Sequence, residues 1–275
     1  MSAMLRVTLL GTGSSGGVPR VDGDWGVCDP AEPKNRRTRC SLLVERFQGA
    51  HDPARATVVL IDTSPDLREQ LLRAGVKRCD GVLYTHDHAD QTHGIDDLRV
   101  LCYRMRRRIP AWLDAPTRES LFRRFGYIFE TPPGSHYPAI LEAREMPPPG
   151  GEVVVEGPGG PLRFTPLAQE HGEIGSLGFR FGPVAYCNDA NGLPEETLAA
   201  CEGAGLFIVD ALRPAPHPSH AHLDLSLDWI ARVKPARAVL TNMHIDMDYA
   251  TLLQTLPTGV EPGYDGWSAT FSVPA

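Results

Sequence analysis

Residues 85–94 place imidazoles and carboxylates close together, in the order Thr-His-Asp-His-Ala-Asp-Gln-Thr-His-Gly. They follow the apolar run Gly81–Tyr84, which predicts a buried strand. Because alternate residues at the end of a strand still face one way, His86 and His88 can direct two imidazoles to one point, with Asp90 one turn further along. Such ligands suit a borderline divalent ion such as zinc, iron or manganese. The segment therefore predicts a metal site.

The spacing His-x-His-x-Asp after a buried strand resembles the metallo-β-lactamase superfamily of metal-dependent hydrolases. The usual motif of that family ends in a further histidine, where this chain has Gln91. A neutral amide is a weaker ligand than imidazole. We therefore expect one zinc or manganese ion to be bound firmly and the second ion of the family's usual pair to be bound more weakly, with Gln91 outside the ligand set. His93 lies roughly 200° around a helix from Gln91, so we expect it to contact substrate rather than metal.

The composition is that of a globular protein, with 42% hydrophobic and 22% charged residues among 275. No apolar run approaches the roughly 20 residues that cross a bilayer, and the first residues lack the pattern of a signal peptide. Six cysteines without a Cys-x-x-Cys pair indicate free thiols in a reducing compartment. The net charge of −7 argues against broad binding of nucleic acid. We expect a cytoplasmic protein that binds neither membrane nor nucleic acid; a homodimer is left open.

Short strands alternate with helices in two similar halves joined by a Pro/Gly-rich stretch at 147–161. We interpret that stretch as a surface loop, because the strands on either side have too few partners to stand alone. The sequence thus predicts a single domain over residues 1–275 of the α/β class, with two mixed sheets packed face to face and helices outside. The resemblance implies the same arrangement, the αββα sandwich of the metallo-β-lactamase type.

Three more polar residues follow apolar strands in the second half of the chain. His171 follows 162–167, Asp189 follows 184–188, and His244 comes shortly after 238–241. Their order His, Asp, His matches the order of ligands in the superfamily. The resemblance therefore implies one shared metal-ligand set, made of His86, His88, Asp90, His171, Asp189 and His244.

The glycine-rich segment Leu10–Pro19 follows a strand but lacks the Gly-Lys-Ser/Thr ending of a nucleotide P-loop. It resembles the opening of the phosphoribosyl 1,2-cyclic phosphate phosphodiesterases, as do residues 188–195, 222–225 and 263–266. That resemblance implies a metal-dependent hydrolase that cleaves a phosphodiester in a small nucleotide or cyclic ribose phosphate. The hydroxide formed on the metal near neutral pH would attack phosphorus. The small-molecule phosphoester is then the expected partner.

Two departures from these phosphodiesterases stand out. These phosphodiesterases carry a structural zinc site after Trp-Gly, and the two cysteines of this chain in that region, Cys28 and Cys40, are too few to form it. Asn242 stands directly after Leu-Thr, where the family usually has histidine, and His244 comes two residues later. If the segment stays strand-like, a shift of two residues keeps the same face. We therefore expect His244 to reach the metal and Asn242 to bind substrate.

Within this frame, His222 is the expected catalytic acid that protonates the departing ribose oxygen, or else a phosphate ligand, and Asp90 is the other expected catalytic residue. The alternative for His222 is the cap of a helix that begins near Asp224. His217 and His220 lie in a Pro-rich loop, which predicts surface residues.

The remaining assignments are supporting ones. Asp62 is expected to orient a metal-binding histidine, and Asp224 to do the same or to cap its helix. The expected substrate-binding residues are Ser14, Ser15, His93 and Asn242.

Two other functions stay open. A tRNA 3′-processing endonuclease shares the metal motif but usually adds a tRNA-gripping arm, and no such segment is evident here. A non-hydrolytic protein of the pyrroloquinoline-quinone-biosynthesis B type is favoured by Gln91 and by residues 64–68. Its metal motif, however, has lost more histidines than this one has.

Overall fold

The computed structural model describes residues 3–274. Its strands are β1 (Ala3–Gly11), β2 (Ser41–Gln48), β3 (Thr57–Ile61), β4 (Gly81–Leu83), β5 (Ile109–Leu113), β6 (Leu141–Glu145), β7 (Val153–Val155), β8 (Leu162–His171), β9 (Ile174–Phe181), β10 (Val184–Cys187), β11 (Leu206–Asp210), β12 (Ala238–Thr241), β13 (Val260–Pro262) and β14 (Ser268–Val273). Its helices are α1 (Leu67–Ala74), α2 (Ala89–Thr92), α3 (Arg99–Met105), α4 (Ala115–Phe129), α5 (Glu195–Cys201), α6 (Leu223–Val233) and α7 (Tyr249–Thr255), with 3-10 turns at Pro33–Asn35 and Ile95–Leu98.

The strands form two seven-stranded mixed sheets, in the orders β14-β1-β2-β3-β4-β5-β6 and β13-β12-β11-β10-β9-β8-β7. In the first sheet β3 to β6 run parallel, and in the second β10 to β13 do. The other pairs are antiparallel. The predicted class, an α/β sandwich of two mixed sheets with helices outside, is confirmed.

The core between the sheets is built by strands that are buried on both faces. In β3 (Thr-Val-Val-Leu-Ile), Val59 and Ile61 face the opposite sheet and contact a cluster that includes Phe179. Val58 and Leu60 face the other way and pack under the helices of the first half. Because side chains alternate along a strand, this double burial requires an uninterrupted apolar run, which is the pattern that predicted the strand.

Most predicted strands and helices are present, and six elements were not predicted, namely β2, β6, β7, β13, α2 and α7. The short elements β7, β13 and α2 contain too few residues to show a period. The strand β2 was not predicted, although its first residues are buried on both faces as those of β3 are. The stretch at 147–161 is only partly a loop, since β7 lies within it and pairs with β8.

The carboxyl ends of the parallel strands lie at one edge of the sandwich, where the two sheets are also joined by backbone hydrogen bonds. Leu177 N–H donates to Thr85 O at 3.0 Å, and Met243 N–H donates to Thr12 O at 2.8 Å. Ligands of α/β folds commonly bind at such an edge. In the described part of the chain, no helix combines the length and apolar character needed to cross a membrane.

Candidate metal centre

Three imidazoles converge at this edge. His86 and His88 follow β4, and His171 is the last residue of β8 in the opposite sheet. One nitrogen of each ring lies within 4.8 Å of the others, and the ring centroids are 4.5 to 5.1 Å apart. The predicted alternation of His86 and His88 therefore places both at one point, and the fold adds the third histidine from across the sandwich.

Hydrogen bonds set which nitrogen of His86 is free. Thr85 Oγ1 donates to Asp62 Oδ2 at 2.8 Å, so it can accept from His86 Nδ1 at 2.9 Å. His86 Nε2 is buried and has no hydrogen-bond partner among the described residues. Asp62 thus acts on His86 through Thr85, which is the kind of orienting contact that metal-binding histidines usually have. Burial raises the pKa of Asp62 to about 8, against the hydrogen bonds from Thr85.

His171 is oriented in a similar way by the backbone. Its Nδ1 donates to Ser219 O at 2.6 Å, and its Nε2 lies 3.3 Å from His88 Nδ1. Burial and then the neighbouring His220 lower the pKa of His171 to about 4. Burial, together with the other imidazoles, also lowers the pKa of His86 well below its usual range. Both rings are therefore neutral at physiological pH, the form that binds metal.

The three nitrogens fit a divalent ion. Two nitrogens bound at about 2.0–2.1 Å in a tetrahedral arrangement are about 3.3 Å apart, and His88 Nδ1 and His171 Nε2 have this separation. The unpartnered, buried Nε2 of His86 would be satisfied by the same ion. These observations support His86, His88 and His171 as the ligands of a first ion, as predicted from the sequence.

Asp189 lies beside this cluster and is held by amides. The carboxylate is 2% exposed and follows β10. Its Oδ2 accepts from Gln91 Nε2 at 3.0 Å, and its Oδ1 accepts from Asn242 Nδ2 at 3.2 Å. Burial raises the pKa of Asp189 well above the usual range.

Asp90 is half-buried, and its Oδ2 accepts a hydrogen bond from Gln91 Nε2 at 3.4 Å. Asn242, predicted to bind substrate, is therefore buried against Asp189.

His220 belongs to the site, contrary to the expectation that it lies on the surface. Its Nδ1 is 3.0 Å from Asp210 Oδ2 and 3.6 Å from Asp189 Oδ1, and its ring lies 4.7 Å from that of His171. Burial opposes protonation, but the hydrogen bond and charge of Asp210 raise the pKa of His220 to about 9. The ring is therefore cationic near neutrality.

Asp210 was missed by the sequence analysis, although a signal for it exists. It is the last residue of the apolar strand β11 and is fully buried. The rule that selected Asp189, a polar residue at the end of an apolar strand, would have selected Asp210 as well. No comparable signal exists for His220, which is ten residues further along an irregular loop.

His222 and Asp224 lie at the start of α6. His222 occupies the N-cap position of α6 without a capping hydrogen bond from its side chain, and it belongs to neither group of metal-ligand candidates found among residues 3–274. Asp224 lies in the first turn of α6 and is exposed, so it does not support a ligand from behind. The helix-cap alternative describes the position of His222 better than the role of acid.

His244 also differs from the expectation. Its Nδ1 is 2.9 Å from Asp246 Oδ2, and its Nε2 contacts the guanidinium of Arg20. The strand β12 ends at Thr241, and Asn242 has a left-handed backbone with φ of 61°. This conformation breaks the alternation on which the prediction rested, so His244 does not share the face of the site.

The other predicted substrate contacts differ in their exposure. His93 is exposed and its ring packs 5.5 Å from that of Phe125 on α4. Ser14 is buried, and its N–H donates to Met243 O at 3.3 Å, whereas Ser15 is exposed. The glycine-rich loop therefore lies alongside the segment that carries Asn242.

Backbone conformation marks the same edge. Asp62 and Asn242, each directly after a strand, have φ values of 65° and 61°, and Asp189, two residues after β10, has a φ of 53°. Asp and Asn tolerate this left-handed region better than most residues. Sparsely populated conformations of this kind cluster at functional sites, where surrounding contacts hold them in place.

A family model described as "beta-lactamase superfamily domain" matches residues 57–245, which include His86, His88, His171 and Asp189. The chain belongs to the beta-lactamase superfamily. Within that superfamily it is similar to a diphosphatase from the PhnP family, whose crystal structure has a TM-score of 0.85 and 31% identity, with 100% of both chains covered. This superfamily member is therefore a metallo-β-lactamase-fold hydrolase.

Two further proteins are similar to this chain. Zn(2+)-bound PqqB from Methylobacterium extorquens has a TM-score of 0.69 and 17% identity, with 96% of this chain and 99% of that chain covered, which shows the fold alone. An octanoyltransferase from Porphyromonas gingivalis is 32% identical over 267 residues, covering 96% of this chain and 51% of the relative. This chain spans about half the length of that relative.

Proposed function

We propose that the protein is a metal-dependent hydrolase that cleaves a phosphodiester in a small nucleotide or cyclic ribose phosphate. The observation that carries the proposal is the placement of His220, hydrogen-bonded to Asp210, against the cluster of His86, His88 and His171. A divalent ion held by His86, His88 and His171 would supply Lewis acidity and activate water. The residues around it would bind and protonate an anionic substrate.

His220 is the proposed acid in place of His222. Its Nδ1 faces Asp210 Oδ2 at 3.0 Å, so Nε2 is the nitrogen left to donate a proton to the departing oxygen. A carboxylate on one imidazole nitrogen sets the tautomer and stabilises the cation, as in catalytic triads. Asp210 is in turn held by the N–H of Ala190 at 3.1 Å. His220 also offers positive charge to a phosphate oxygen.

A diphosphate is the second candidate substrate class. The relative that is 31% identical over the full length of this chain is named a diphosphatase. Hydrolysis of a diphosphate and of a phosphodiester make the same demands on the site, namely water attack at phosphorus and stabilisation of a departing oxygen. Octanoyl transfer is not proposed, because the relative of that name is about twice as long and all six cysteines of this chain are buried.

The test is hydrolysis by zinc- or manganese-loaded protein of bis(p-nitrophenyl) phosphate, ribose cyclic phosphates and a dinucleoside diphosphate. We expect turnover on at least one of these, lost on removal of the metal. Cleavage of precursor tRNA alone would instead favour the endonuclease, and inactivity on all four substrates would contradict hydrolysis of phosphoesters. Asp228→Asn, at an exposed position on α6, is the control expected to keep activity.

A further inference from the structure

The potential metal ligands fall into two groups that share one residue. The first is His86, His88 and His171; the second is His171, Asp189 and His220. His171 has only one nitrogen available, because Nδ1 donates to Ser219 O, and the other lies 3.3 Å from His88 Nδ1. His171 therefore serves the first group. The second group is left with Asp189 and His220.

Asp189 is already engaged by hydrogen-bond donors from both sheets. Gln91, beyond β4, donates to Oδ2 at 3.0 Å, and Asn242, beyond β12, donates to Oδ1 at 3.2 Å. Asn188 adds a further amide contact to Oδ2. All three amides are buried, with 0%, 1% and 0% exposure for Gln91, Asn242 and Asn188. The carboxylate is thus enclosed by N–H groups on both oxygens.

The partners of Gln91 determine which way its amide points. Gln91 Nε2 faces two carboxyl groups, Asp189 and Asp90, and turning this amide over would place its carbonyl oxygen against both. Asn242 Nδ2 lies 3.2 Å from Asp189 Oδ1 and 3.0 Å from His220 Nδ1, so this amide lies between the two residues left in the second group. A cation needs lone pairs directed at it, whereas Gln91 directs its N–H group at the position beside Asp189. The Oε1 of Gln91 has no partner among the described residues, but a neutral amide oxygen is a weak ligand beside imidazole.

We infer that the protein binds one divalent ion, at His86, His88 and His171, and that the amides of Gln91 and Asn242 occupy the place of a second cation. In this arrangement the two amides donate hydrogen bonds to both oxygens of Asp189. The sequence analysis predicted weak binding of a second ion, on the basis of Gln91 alone. With Asn242 included, we infer that the second ion is not bound. The inference shares its metal cluster with the proposed function, but its measurement needs no substrate, so either can fail without the other.

The first test is metal stoichiometry. Metal-free protein is incubated with excess Zn²⁺, desalted, and measured by inductively coupled plasma mass spectrometry and native mass spectrometry. We expect one ion per chain in the wild type. Two retained ions, or none, would overturn the inference.

The second test converts the donors into acceptors without changing their shape. The double variant Gln91→Glu/Asn242→Asp surrounds the same position with carboxylates, and Gln91→His/Asn242→His supplies two imidazoles instead. Circular dichroism shows which double variants are folded. We expect each folded double variant to retain two zinc ions per chain. A folded double variant that retains one ion would show that these amides do not close the second position.

The matched control is Asn35→Asp. Asn35 is buried and its Nδ2 donates to a carboxylate, Asp248 Oδ1, at 2.7 Å, so it reproduces the amide–carboxylate contact away from the three histidines. The control should retain one ion. Two ions in this variant would attribute the gain to added negative charge in general and would overturn the role given to Gln91 and Asn242.

Discussion

His220 Nδ1 lies 3.0 Å from Asp210 Oδ2, which joins the loop before α6 to the end of β11. The carboxylate is fully buried and also accepts the N–H of Ala190, so it cannot follow the imidazole if that moves. This contact fixes the position of His220 beside His171 and raises its pKa. The first prediction concerns this pair.

Replacing His220 with Asn should lower kcat roughly 10²-fold or more, because the proposed acid is lost. Metal content should stay at the wild-type level, since the three ligating imidazoles are untouched. The control is His222→Asn, at the N-cap of α6, where Asn caps well and kcat should change little. Steady-state kinetics measures kcat for both variants. A larger loss of kcat in His222→Asn than in His220→Asn would identify His222 as the acid.

Thr85→Val should weaken metal binding about 10- to 100-fold, because the hydroxyl that links Asp62 to His86 is removed at nearly constant volume. Competition with a chromogenic chelator measures this. Thr197→Val is the matched control: Thr197 is also buried, but its hydroxyl donates to Ala168 O, away from the metal ligands. Equal affinities in both variants would mean that the Asp62–Thr85 contact does not position His86.

Asp248 should stabilise the protein in a pH-dependent way. Burial alone would raise its pKa, but hydrogen bonds from the backbone of Thr251 and the side chain of Asn35 lower it to about 2. A lowered pKa contributes stability above the unfolded value of 3.8, and this contribution is lost as the pH falls through about 2. Asp248→Ala should therefore lower the free energy of unfolding by about 1 kcal/mol at pH 7, the usual cost of an N-cap.

The measurement for Asp248 is urea unfolding of the wild type and the variant between pH 7 and pH 2. The difference between them should shrink below about pH 4. Asp228→Ala, at an exposed position on α6, should show neither the difference nor its pH dependence. A difference that persists unchanged to pH 2 would argue against an ionised Asp248 as its source.

Because both sheets contribute to one core, residues 1–275 should unfold as a single domain in one cooperative transition. Phe179→Ala, at a fully buried site in that core, should cost about 3–5 kcal/mol and shift the whole transition. Tyr137→Ala, at a position 73% exposed, should change stability by no more than about 0.5 kcal/mol. Two separated transitions in calorimetry would instead indicate two units.

The sequence by itself determined the parts of this protein that depend on local spacing. The alternation of His86 and His88 after an apolar run is a property of a strand end, and it survives in the fold as expected. The apolar runs of β3 and β11 likewise identified buried strands, because a strand covered on both faces needs apolar residues at every position.

Only the tertiary structure decided which distant residues complete the site. His220 reaches Asp210 through an irregular loop whose path follows no period, while His222, two residues later, lies at the N-cap position of α6. Asn242 turns left-handed where continued alternation was assumed, so it faces Asp189 and leaves His244 with Asp246. Side-chain direction in a strand follows from its period of two, but in a loop it depends on contacts with other parts of the chain. Those contacts exist only once the two sheets have packed together.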